Sequence, residues 1–391
     1  RDFCLSRGLG DVYKRQCMNS FELIPTEENL IHTLDKDLLK RNKDLVRFYD
    51  LILAQEGASS IAIDGRWGSG KTFFVKQSML LINAKNPMSD MDDEKKASIV
   101  YALPFPKKAE DMSENYDVAV YYDAWENDND TDPVFSLVYE IIKQLGINYA
   151  FDDNSNAFKL AGSVLEALTG RNINGIIEKL KSDNPLTKIK EEKDLHENIK
   201  NFFTELLVER GNRLVVFIDE LDRCKPSYAV QLLERIKHYL YDDRITFVFS
   251  VNLGELQHTI KHYYGNTFDA CRYLDRFFDM RISLPPADKT AFYREMGLES
   301  SYVLEKICRK VIDTYNMELR EATRFYRQVK TAAYEPTHES RKFDFSFSDG
   351  KGRQLLLMYV VPILVGLKIV DISLYNQFVC GKSSKPLMDI Y

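Results

Sequence analysis

The sequence predicts a three-layer α/β sandwich on a parallel sheet, followed by an α-helical C-terminal part. Three observations carry this reading. Five short apolar runs have strand length, two of them ending in residues suited to a phosphate and its metal; the stretches between them repeat at helical spacing; and after Pro285-Pro286 the pattern becomes helical only. The 391 residues are 45% hydrophobic and 29% charged, enough to bury a core and unlike a disordered or fibrous chain.

Residues 1–17 (RDFCLSRGLGDVYKRQC) precede the first methionine, Met18, and show no apolar period and no secretory hydrophobic region. They read as a non-native or disordered leader, the alternative being a short basic arm. From Thr26 to Leu53, Leu30, Leu34, Leu38, Leu45, Phe48 and Ile52 recur near helical spacing among charges, predicting helices that Gly57 ends. Ser59 to Asp64 (SSIAID) then reads as a short buried strand. It opens directly into Gly65-Arg66-Trp67-Gly68-Ser69-Gly70-Lys71-Thr72, and the apolar helical stretch Phe73 to Ile82 follows.

The G-x-x-x-x-G-K-T spacing is the Walker A pattern. Backbone N–H groups must wrap phosphate oxygens without Cβ interference, so glycines are needed at these positions. Lys71 is then placed for the β and γ phosphates and Thr72 for Mg²⁺, with the dipole of the following helix adding to the field. At ordinary glycine usage the bare pattern arises by chance in roughly one chain of this length in a hundred. A strand before it and a helix after it make coincidence rarer.

Residues 213–223, RLVVFIDELDR, hold five consecutive apolar residues and end in adjacent carboxylates. That run is too continuous for a half-exposed strand and reads as a Walker B strand. Asp219 is placed for the Mg²⁺ shell and Glu220 for the attacking water, at the strand end where open α/β sheets put their ligands. A Glu beside the metal Asp points to the additional-strand class of P-loop ATPases, and Ile245 to Val251 supplies the extra strand. It ends at Asn252, placed either to sense the γ phosphate or to cap a helix.

With these motifs in hand, I-D-G-R-W-G-S-G-K-T, Y-D-A-W-E-N near Trp125, V-F-I-D-E-L-D-R-C and Y-L-D-R-F-F-D-M-R-I-S-L-P together resemble the KAP family of P-loop NTPases, over roughly Asp35 to Arg327. The resemblance implies ATP as the bound nucleotide, Mg²⁺ as its metal, hydrolysis, and a bacterial role in phage or plasmid exclusion. It also implies a sheet in the order 5-1-4-3-2, with strands near 59–64, 118–122, 213–218, 245–251 and 280–284. Many members carry membrane segments between Walker A and Walker B. Here residues 83–212 hold instead an acidic stretch, the second strand and a helical insertion over about 133–210, none apolar enough to span a bilayer.

Within that frame Trp125 is expected to pack in the core beneath the nucleotide loops, with Asp123 near the γ phosphate. Arg276, or more weakly Arg272, is placed to reach a neighbouring subunit's γ phosphate, which requires a homo-oligomer; a surface or Asp-paired arginine is the alternative. In the helical part, Leu304, Ile307, Val311 and Ile312 share a face, and Arg320, or Arg324, is placed to couple a lid to the γ phosphate, unless either belongs to a solvated basic face. Lys330 to Arg353 reads as a linker, and the 13 apolar residues from Leu355 to Leu367 as a buried helix. The expected organisation is leader 1–17, NTPase core 18–286 and helical lid 287–391.

Other classes are disfavoured. A net charge of −6 argues against a dominant nucleic-acid surface, so no nucleic-acid partner is expected. The six cysteines, at 4, 17, 224, 271, 308 and 380, form no CxxC pair and fit a reducing cytoplasm, with association at the membrane periphery through a partner left open. There is no Ser/His/Asp arrangement at a strand-turn-helix elbow. The expected activity is a Mg²⁺-dependent ATPase whose output lies in a protein partner; the alternatives are a nucleotide-gated scaffold with little hydrolysis and a DNA-processing ATPase.

Overall fold

The computed structural model describes residues 24–105, 116–148 except 131, 201, 203, 211–239, 242–298, 303–333 and 356–391. The chain enters through α1 (Glu27–Asp35) and α2 (Asn42–Leu53), then runs β1 (Ser59–Asp64), α3 (Lys71–Lys85), α4 (Asp93–Tyr101), β2 (Val118–Asp123) and α5 (Pro133–Asn148). After β3 (Leu214–Asp219) come α6 (Pro226–Tyr239), β4 (Ile245–Val251), α7 (Leu253–Tyr264), α8 (Ala270–Leu274) and β5 (Met280–Ser283). The C-terminal part is α9 (Lys289–Glu295), α10 (Val303–Thr314), α11 (Leu319–Ala333), α12 (Val361–Val370), α13 (Ile372–Val379) and α14 (Lys385–Ile390).

The five strands form one parallel sheet in the order β2-β3-β4-β1-β5, the expected 5-1-4-3-2 read from the other edge. β4 is the additional strand between β1 and β3. Registers pair Asp64 with Val251, Asp219 with Ser250 and Asp123 with Asp219, so four strands end level. The loops after β1, β2, β3 and β4 therefore emerge on one edge, where a parallel sheet collects its ligands.

β3 and β4 are buried throughout because helices cover both faces. The period of two divides their side chains: Val216 and Ile218 join one core with Leu137, Ile141, Leu233 and Leu256, while Val215 and Phe217 join the other with Phe48, Ile52, Phe74 and Leu81. A third cluster holds the predicted Leu304, Ile307, Val311 and Ile312 face together with Phe325, Ile363, Leu367 and, from the N-terminal region, Leu39.

Several expectations change in detail. The Leu355–Leu367 run is not buried all round: residues 356–360 form a π-helical turn with Leu356 exposed, and α12 buries only Pro362, Ile363, Gly366 and Leu367. One stripe of a helix can face α10 and α11, and the rest of an apolar run stays outside it. Gly366 allows the close approach, since a Cβ there would lie 2.6 Å from Val311 Cγ1. The acidic stretch after residue 83 contains a helix, α4, capped by Asp92 accepting from the Lys95 N–H. α11 runs through Ala333 and so takes in the first four residues of the expected linker. Of the insertion, α5 is described, whereas residues 149–200 lie outside the described residues, as do the leader 1–17 and residues 334–355, which hold the rest of the expected linker.

Candidate nucleotide site

The loop between β1 and α3 is shaped by its glycines. Gly68 and Gly70 have φ of +82° and +91°, the left-handed region in which an L side chain is strained, and Gly70 caps α3 from that conformation. A Cβ on Gly65 would lie 3.0 Å from Ser69 Oγ and 3.2 Å from Lys71 Cγ. Ser69 Oγ itself is buried without a hydrogen-bond partner. The loop thus wraps a cradle around Lys71, which is only 8% exposed and whose Nζ donates to the carbonyls of Gly65 (2.6 Å) and Arg66 (3.3 Å). Burial lowers the affinity of this ammonium for its proton, while Asp222, Asp219 and Glu220 oppose that shift.

A residue that sequence reasoning missed braces the loop from behind. Arg41, 5% exposed, donates from Nη1 to the Ser69 carbonyl (2.9 Å) and from Nη2 to the Pro285 carbonyl (2.5 Å), tying the glycine loop to the segment that follows β5. Burial brings its pKa down to about 10, still a cation at neutral pH. An arginine in a charged amphipathic segment carries no local sign of being buried.

Across the sheet edge, Thr72 Oγ1 donates to Asp219 Oδ2 at 2.7 Å, linking the two motifs over 147 residues. The Tyr121 hydroxyl donates to the same oxygen (3.1 Å), and the Glu220 N–H donates to Asp219 Oδ1 (3.0 Å). A hydroxyl and a carboxylate at this separation are the hard oxygen pair that Mg²⁺ takes, its other positions being filled by phosphate and water. With the glycine cradle and the unpartnered Ser69 hydroxyl, the residues present fit a Mg²⁺-nucleotide. Glu220 adopts φ +62° and forms an ion pair with Arg223. Burial first, and the neighbouring Asp219 second, push its carboxyl up to about 7, partly offset by Arg223.

These groups border a cleft of about 770 Å³ between the sheet edge and α11, whose lining includes the apolar Ile24, Pro25, Leu39 and Phe292 and the polar Lys71, Thr72 and Glu220. Arg320, Arg324 and Arg327, at helical spacing along α11, line it from the C-terminal helices. The first turn of α11 meets the glycine loop: the Arg320 N–H lies 3.4 Å from the Gly68 carbonyl, and Arg66 Nη1 lies 3.4 Å from Glu318 Oε1.

The remaining sequence candidates fall elsewhere. Asn252, at the end of β4, caps α7, its Oδ1 accepting from the Glu255 N–H at 3.4 Å, on the same edge as the glycine loop. Arg276 is exposed in the turn before β5, where Ser60 Oγ donates to the Phe277 carbonyl and the Asp279 N–H donates to the Ser60 carbonyl. That turn lies at the N-terminal end of β1, the opposite edge from the chain's own glycine loop. Arg272 is exposed on the neighbouring α8. Trp125 corrects an expectation: it is 52% exposed and not in the core. Asp123 accepts from the N–H groups of Trp125 and Glu126, a turn that throws the chain outward at the end of β2. Trp67, 44% exposed, donates from Nε1 to Asp222 Oδ2 at 2.5 Å.

The description "KAP family P-loop domain" matches residues 45–335, about three quarters of the chain. None of the curated proteins matches it. Among solved structures, "Structure of C. elegans PCH-2" aligns with 12% identity and a TM-score of 0.21, covering 92% of this chain and 65% of that one, so this chain spans under two thirds of that protein's length. Among the described residues no helix is long and apolar enough to cross a membrane. A glycine cradle, a hydroxyl–carboxylate pair across the sheet edge and a family match over most of the sequence converge: this chain belongs to the KAP family of P-loop NTPases.

Proposed function

We propose that the protein is a Mg²⁺-dependent ATPase acting as a switch. The observation that carries this reading is the 2.7 Å hydrogen bond between Thr72 and Asp219 beside the buried Lys71 ammonium. Lys71 exchanges the Gly65 and Arg66 carbonyls for β and γ phosphate oxygens, stronger acceptors for an ammonium. Thr72 and Asp219 hold the metal, which when bound neutralises charge on the phosphates. Glu220, with a proton affinity near neutrality, orients water and accepts its proton. Asn252 contacts the terminal phosphate or that water, and Arg320 reads the same phosphate from the lid.

Output goes through the lid, because Arg66–Glu318 and Gly68–Arg320 join the glycine loop to it and the Arg41 bridge holds the loop to Pro285, just before it. A protein partner receives that motion, in phage or plasmid exclusion, with the chain in the cytoplasm or at the membrane periphery. Purified protein is expected to release phosphate from ATP in the presence of Mg²⁺ and to stop on chelation; no release under either condition would sink the ATPase reading.

Arg276, exposed on the far edge from its own glycine loop, serves a neighbour's site in this scheme. Light scattering is expected to show a larger assembly with ATP and Mg²⁺ than without, and Arg276→Ala should lower hydrolysis per chain without changing nucleotide affinity. A wild-type protein that stays monomeric throughout removes this role.

A further inference from the structure

Arg223 has no part in the scheme above, yet its surroundings are unusually built for a surface-edge arginine. It ends a 3₁₀ turn, Leu221–Arg223, whose tight winding returns its side chain to the Glu220 carboxylate three residues back. Its guanidinium carbon lies 5.9 Å from the centre of the Trp67 ring and 5.4 Å from that of Trp125. The Trp67 indole is held by Asp222, and the backbone of Trp125 is fixed by the turn at Asp123. Indole faces engage the flat face of a guanidinium and leave its in-plane N–H donors available. Of the guanidinium nitrogens it is Nε that pairs with Glu220. The group borders the same cleft as Lys71 and Thr72.

We propose that Arg223 is a ligand of the terminal phosphate supplied by the chain's own site: with a nucleoside triphosphate in the cleft its guanidinium moves along the two indoles from Glu220 to the γ phosphate. The move exchanges a carboxylate for a phosphate that accepts two parallel N–H bonds from one guanidinium. It also releases Glu220 to water only when a γ phosphate is present, so a triphosphate and a diphosphate leave the site in different states. The inference rests on the nucleotide reading above and adds a residue to it.

The chain has two tryptophans, and both flank Arg223, so intrinsic fluorescence reports this site in the unmodified protein. A non-hydrolysable ATP analogue with Mg²⁺ is expected to change the tryptophan emission in a way that ADP with Mg²⁺ does not. Arg223→Ala should remove that difference, weaken the ATP analogue by about 10- to 100-fold and weaken ADP less than about threefold, as expected for loss of a charged hydrogen bond made only to the γ phosphate. Arg223→Lys, which keeps the charge without the fork, should restore part of the loss. Identical emission with both nucleotides in the wild type, or equal weakening of both in Arg223→Ala, overturns the proposal and leaves the nucleotide site standing. A wild-type protein that binds neither nucleotide overturns both readings together.

Discussion

Glu220→Gln is expected to bind Mg²⁺-ATP as tightly as the wild type and to release phosphate at least about 100-fold more slowly, the usual range for loss of a general base. The substitution keeps the shape of the side chain and its left-handed backbone, and Gln, like Glu, tolerates the half-buried position beside Asp219. What it removes is a group able to take a proton from water near neutral pH. Single-turnover phosphate release, read alongside a binding titration, separates the two effects. Equal rates in the two proteins would mean that Glu220 does no chemistry, and the scaffold reading, binding with little hydrolysis, would replace the enzyme.

Lys71→Ala is expected to lose nucleotide affinity by about 100-fold or more, since one residue supplies both a charge and several hydrogen bonds inside a desolvated loop. Wild-type protein at an ATP concentration near 100 times its Kd should gain about 2.7 kcal/mol of stability, and the variant at the same concentration no more than about 0.4 kcal/mol. Thermal melting with and without ATP reads this directly. The variant also leaves the Gly65 and Arg66 carbonyls without their ammonium partner, so melting without nucleotide is the control that separates lost binding from lost fold. An ATP-induced shift that survives the substitution would place the nucleotide elsewhere.

The parts of the site that were legible beforehand are those whose chemistry is written in adjacent residues. The Ser59–Asp64 strand, the glycine loop and the start of α3 are contiguous, and glycine at a left-handed position is dictated by local sterics alone. Five consecutive apolar residues before Asp219 mark a strand covered on both faces, and β3 is buried from end to end. Trp125 shows the limit. An aromatic residue after a strand is usually core, but Asp123 captures two backbone N–H groups and turns the ring to solvent, a geometry that depends on where the turn lies against Arg223.

By itself the sequence determined the strands, the phosphate loop and the pair of acids, because periodicity, glycine sterics and turn chemistry act between near neighbours along the chain. Only the tertiary structure decided that Arg41 braces the loop against Pro285, that α11 begins on Gly68, and that two tryptophans and an arginine from three separate segments meet beside Glu220. Those contacts follow from how the packed layers bring distant loops to one sheet edge. No local pattern encodes that distance.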